Sequence, residues 1–72
     1  MKNSIIKTDI YNDYLVFTTK NGNIYNITKE ESGRFFVSCS TGLSELENGL
    51  SGHKTLLTAI KQMNIWIKNE NI

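Results

Sequence analysis

The stretch Gly49-Leu50-Ser51-Gly52-His53-Lys54-Thr55 carries the residue types of a phosphate-binding loop: glycines, a lysine and a hydroxyl. A P-loop requires G-x-x-x-x-G-K-[ST], in which backbone N–H groups wrap the phosphates and the lysine directly follows the last glycine. Here His53 intervenes and two residues part the glycines, so the stretch reads as a connection running into a helix start. What survives is an anion contact at that helix N-terminus, flanked by His53 and Lys54. Cys39 and His53 offer a thiol and an imidazole, but nucleophilic catalysis also needs an orienting group and an oxyanion site, and no residue pattern supplies them. Cys39 alternates with Phe35 and Val37, where a free cysteine serves as a small hydrophobe. His53 and the scattered carboxylates lack the spacing of metal ligands. The expectation is a protein that is not an enzyme and takes neither metal nor cofactor.

Charge patterning points to contacts rather than chemistry. Lys54, Lys61 and Lys68 recur every seven residues and would line one side of a helix, a ridge for an anion or a nucleic-acid backbone. With no arginine in it, such a ridge binds nucleic acid weakly and with strong salt dependence. Glu30, Glu31, Glu45 and Glu47 give residues 30–50 a local charge of −3, between flanks of +2 each. That polarity suits electrostatic steering toward a protein partner. The net charge of +1 argues against both a strongly basic nucleic-acid protein and an acidic mimic of DNA.

These residues must be held by a small scaffold. A chain of 72 residues is expected to form one domain over 1–72, burying about 60% of the surface its unfolded form exposes. One cysteine excludes an internal disulfide framework. No apolar run approaches the length of about 18 residues that spans a membrane, so a cytoplasmic protein is expected. Asn and Ile occur nine times each and Lys seven times, against one Ala, one Arg and no Pro. AT-rich codons supply that composition, which suggests a low-GC bacterium, its phage or a mobile element.

Period-2 alternation marks strands over about 4–11, 14–19, 24–28 and 34–40, with turn signals at Asn12-Asp13, Asn21-Gly22 and Ser32-Gly33. In the first strand, Ile6, Thr8 and Ile10 fall on one side and Ile5, Lys7 and Asp9 on the other. A bulged loop, Asn21-Gly22-Asn23 with Gly22 left-handed, would pair Phe17 with Ile27 and Thr19 with Tyr25. Leu15, Phe17, Tyr25, Ile27, Phe35, Val37 and Cys39 then share the core face, and Tyr14, Val16, Thr18, Ile24 and Phe36 the other. Residues 41–52 read as a loop holding a capping box, Ser44-Glu45-Leu46-Glu47, closed by Gly49. From about 53 to 69 the period becomes 3.6, with Ser51 as the expected cap. Leu56, Ala59, Ile60, Met63, Trp66 and Ile67 form the inward stripe.

The resulting expectation is an α+β fold: a four-stranded antiparallel β-meander with one C-terminal amphipathic helix packed on one face (ββββα). Its outline is similar to single-stranded-DNA-binding transcriptional coactivators and to many small phage proteins, a likeness of architecture that fixes no function. One helix roofs one face of a sheet, which leaves Tyr14, Val16 and Phe36 as a protein-binding surface, with Glu45 and Glu47 in the acidic loop as the other expected contact. The expected function is a non-enzymatic protein-binding module, encoded by a phage or prophage, that modulates or inhibits a host complex. The partner is a host protein or a second copy of the chain. The alternative is a single-stranded nucleic-acid binder using Tyr14, Tyr25 and Phe36 with Lys7, Lys20 and Lys29.

Overall fold

Alternation of β-branched and aromatic residues with polar ones produces four strands in the computed structural model, which describes residues 4–70. They are β1 (Ile5–Ile10), β2 (Tyr14–Thr19), β3 (Ile24–Lys29) and β4 (Phe35–Cys39), followed by the helix α1 (Leu56–Glu70). The strands pair antiparallel in chain order and α1 packs chiefly on β3 and β4, giving the ββββα meander. No helix among the described residues is long and apolar enough to cross a membrane.

The β2–β3 hairpin differs from its expected register by two residues. Phe17 faces Tyr25 and Leu15 faces Ile27, while Thr19 N–H donates to Asn23 O at 2.9 Å. The loop is therefore Lys20-Asn21-Gly22, one residue earlier than the sequence pattern suggested, with Gly22 at φ +84°. A slip of two preserves the faces, because side chains alternate with period 2. Phe17, Tyr25, Ile27, Val37 and Cys39 are accordingly buried on the helix side, and Leu15 and Phe35 pack against them. In β1 a bulge at Ile6 shifts the parity. Ile5 pairs with Thr19 and packs against the core, while Ile6 stands exposed.

The helix starts later than the periodicity implied. Thr55, not Ser51, caps it: Thr58 N–H donates to Thr55 Oγ1 at 3.2 Å, and Ala59 N–H to Thr55 O at 3.3 Å. Ala59, Met63 and Ile67 are buried, Ile60 and Trp66 lie half-buried at the margins, and Leu56 is more exposed than its place in the stripe suggested. The geometry explains this narrower contact. A helix is about 10–12 Å across and strands lie about 4.8 Å apart, so α1 spans about two strands of four. On the same face Ile10 consequently remains 78% exposed. A cavity of about 150 Å³ opens between the β1–β2 turn and the start of α1, floored by Leu15, Ile27, Phe35 and Leu56. Lys29 sits at its rim with the ammonium 5.9 Å from the Phe35 ring centroid. Ligand and cofactor sites usually measure about 300–1,000 Å³, so this space suits one side chain rather than a cofactor.

Candidate binding surface

Residues opposite one another on paired strands project to the same face, so the registers define rungs across the sheet. Tyr11 N–H donates to Tyr14 O at 2.9 Å, Tyr14 faces Thr28, and Thr28 faces Phe36. Tyr11, Tyr14 and Phe36 thus form one row at the β1–β2 turn end of the sheet, on the face away from α1. The two tyrosine rings stack with centroids 4.6 Å apart and planes 17° from parallel. Phe36 leans on Gly52, whose φ is +75° and where an added Cβ would lie 2.9 Å from the phenyl ring. That close approach, rather than a phosphate, accounts for the glycine in the Gly49–Thr55 stretch. Val16 lies one rung further along β2, facing Asn26, and is half-buried like Phe36. Tyr11, Tyr14 and Ile24 are 50%, 42% and 41% exposed. The sequence pattern singled out Tyr14, Val16 and Phe36. Tyr11 escaped it because that residue ends its strand, and only the hairpin pairing sets its ring against Tyr14.

The acidic loop divides in two. Ser44 Oγ accepts Glu47 N–H at 3.3 Å, and Leu50 N–H and Gly49 N–H donate to Glu45 O and Leu46 O at 2.9 and 3.1 Å. This is one helical turn opened by the serine of the expected capping box and closed by a left-handed glycine at φ +76°. Glu47 stays exposed. Glu45 does not: it is 3% exposed and bound to the outer edge of β4, so it is no surface carboxylate. Along that edge Phe35 exchanges two 2.8 Å backbone hydrogen bonds with His53, and Cys39 N–H donates to Leu43 O at 2.7 Å. Between them Val37 N–H donates to Glu45 Oε1 at 2.9 Å, while Glu45 N–H donates to Val37 O at 3.0 Å. The carboxylate thus stands where a fifth strand would supply a carbonyl. Its other oxygen lies 2.8 Å from His53 Nε2. One of the two ring nitrogens of His53, placed by the sequence at an anion contact, thus faces a carboxylate of the protein itself.

Cys39 and His53 are not brought together. His53 pairs with Phe35, four residues from Cys39 along β4, a separation of about 13 Å at strand rise. Lys54 precedes the helix cap, so only Lys61 and Lys68 of the three lysines lie on α1; all three are exposed. Tyr25 is 1% exposed beneath α1 and has no face free for a nucleobase. Among the described residues no group of three or more His, Cys, Asp or Glu side chains is placed to hold a metal ion. Among the described residues no buried side-chain nitrogen or oxygen lacks a hydrogen-bond partner.

A polar cluster that the sequence pattern did not reveal ties the end of α1 to the sheet. Tyr25 Oη donates to Glu70 Oε2, and Asn21 Nδ2 donates to Glu70 Oε1 at 3.2 Å. Thr19, fully buried on the core face, places Oγ1 3.4 Å from the same oxygen. Burial pushes the Tyr25 phenol far up, with the Glu70 hydrogen bond adding to the effect, so it remains a donor. Burial pulls the Glu70 carboxyl upward, but hydrogen bonds from Tyr25, Asn21, Asn23 and Thr19 together outweigh it and hold it below 4.5. A carboxyl that binds its proton less readily when folded contributes stability above its unfolded pKa and loses it as the pH falls through the folded one. Thermal melts should therefore show Tm declining in acid below about pH 4.5, the unfolded value, and declining less in Glu70→Gln. Parallel acid profiles for the two proteins would contradict this role.

Against protein-family models, curated proteins and solved structures alike, the chain finds no significant match.

Proposed function

We propose that this chain is a non-enzymatic protein-binding module that engages its partner through the aromatic row Tyr11, Tyr14 and Phe36 and the neighbouring Val16, and so modulates or inhibits the complex it joins. The observation that carries the reading is the row itself: three aromatic rings on one rung of the sheet face that α1 leaves free. Tyrosine supplies a large, stiff contact area with a polar tip, which is why it is enriched in interface hot spots. Fully burying a large apolar side chain contributes about 1.5–3 kcal/mol, and three or four act against the entropy lost on association. The composition adds the finer proposal that the gene is borne by a phage or prophage and the partner belongs to its host.

Affinity capture from host lysate with the tagged chain, run beside Val16→Lys, tests the reading. Val16 lies outside the core cluster, so the variant should keep the far-UV CD spectrum and Tm of the parent. Proteins retained by the parent should be lost from the variant. Equal retention by both chains, or an unfolded variant, would place the contact elsewhere.

The same row supports a second reading, a single-stranded nucleic-acid binder. Lys7 projects from this face opposite Thr18, and aromatic rings stack any base. Titration of a labelled oligonucleotide at two salt concentrations separates the readings, because binding carried by lysine–phosphate contacts weakens steeply with salt.

A further inference from the structure

The two edges of the sheet are treated differently. The outer edge of β4 is closed by His53, Glu45 and Leu43, whereas among the described strands β1 has one neighbour, β2. In the β1–β2 ladder Tyr11 N–H points to β2, so alternation directs the backbone groups of Lys7 and Asp9 the same way and those of Thr8 and Ile10 outward. An exposed edge of this kind invites another strand. Its side chains indicate which one. Lys7 and Asp9 flank Thr8 on the face away from α1, with Lys7 Nζ 3.7 Å from Asp9 Oδ2. Ile6 and Ile10, two positions either side of Thr8, are 64% and 78% exposed.

We propose that the β1 edge pairs antiparallel with β1 of a second copy of this chain, about a two-fold axis through Thr8. This goes beyond the proposed function, because it uses a different surface and a different partner. In that register Thr8 faces Thr8 of the other copy and each Lys7 faces an Asp9. The outward backbone groups of Thr8 make it a hydrogen-bonded pair. Lys7 and Asp9 then occupy the flanking positions without hydrogen bonds, where side chains approach most closely. Neighbouring registers are penalised: a slip of two residues one way sets Lys7 against Lys7, and the other way Asp9 against Asp9. A lysine at a sheet edge deters most strands, but here an aspartate in the matching strand answers it. The interface is self-complementary, as a two-fold contact requires. It also keeps corresponding faces together, so the two aromatic rows share one continuous eight-stranded face.

Sedimentation equilibrium over micromolar to submillimolar protein reads this directly. The parent should show a monomer–dimer equilibrium. Lys7→Asp and Asp9→Lys, each of which sets like charges opposite one another twice, should weaken it about tenfold or more, with CD spectra unchanged. The double variant Lys7→Asp/Asp9→Lys restores opposite charges in the same register and should recover the dimer. A parent that stays monomeric throughout overturns the proposal. So do single reversals that leave association unaltered, or a double variant that fails to recover it. The oligomeric state is independent of partner capture by the Val16 face, so either proposal can fail alone.

Discussion

Met63→Asp is expected to leave the chain without a cooperative thermal transition. Met63 is fully buried at the centre of the contact between α1 and the sheet, with Ala59 and Ile67 a turn away on either side. Truncating such a side chain costs about 2–5 kcal/mol through lost burial and the cavity left behind. An aspartate adds a carboxylate with no partner and no route to water. Stability for a domain of this size is on the order of 4–10 kcal/mol, so the sum consumes most or all of it. Met63→Leu, which nearly conserves volume, should stay within about 1.5 kcal/mol of the parent. The pair measured by far-UV CD melts distinguishes loss of the contact from a generic effect of substitution. A wild-type-like melt for Met63→Asp would contradict the placement of α1. Ile60, in the same stripe, lies half-buried at the edge of the contact. An aspartate there reaches water and tests the helix face less severely.

Glu45→Ala should be the most damaging substitution of a charged residue. The truncation leaves Val37 N–H, within a residue that is 0% exposed, without its acceptor. It also removes the group facing His53 Nε2. Leaving a buried donor unsatisfied costs about 1–3 kcal/mol, which for a domain of this length corresponds to a Tm lower by about 5–20 °C. Glu45→Gln keeps a carbonyl oxygen for Val37 and should lose less. Hydrogen exchange locates the effect: the Val37 amide should exchange far faster in the alanine variant, while those paired between β1 and β2 follow global stability. An alanine variant with the parent's Tm and the parent's protection at Val37 would show that the edge closes by other means.

Most of the fold was legible because it rests on short-range signals. The runs at 14–19 and 24–29 are rich in β-branched and aromatic residues, and Gly22 punctuates them as a left-handed loop residue should. The period of 3.6 located α1, and the capping serine with its glycine stop located the helical turn at Ser44–Gly49. Details that depend on partners distant in sequence were not legible. The hairpin slipped by two residues because both registers put the same side chains on the same faces, so the hydrophobic pattern could not choose between them. The bulge at Ile6 exchanges Ile5 and Ile6 between core and solvent, and two adjacent isoleucines carry no signal of which turns inward.

The candidate surface was half visible for the same reason. Tyr14, Val16 and Phe36 follow from alternation, whereas the stacking of Tyr11 on Tyr14 needs the hairpin geometry. Glu45 read as a solvated loop acid because its environment is made by β4 and His53, eight residues to either side. Glu70 was unremarkable as a charge at the helix end, where an acid is disfavoured by the helix dipole. Its reason for being there is Tyr25, 45 residues earlier.

The central claim is that a partner is met through the aromatic row and not through α1. A photo-crosslinking side chain placed in turn at Tyr14 and at Ile65 reads this most directly, since both positions are exposed and the second lies on the helix. Irradiation of cells carrying each variant should yield a discrete crosslinked protein from position 14 and none from position 65. An adduct from position 65 alone, or none from either, would contradict the account.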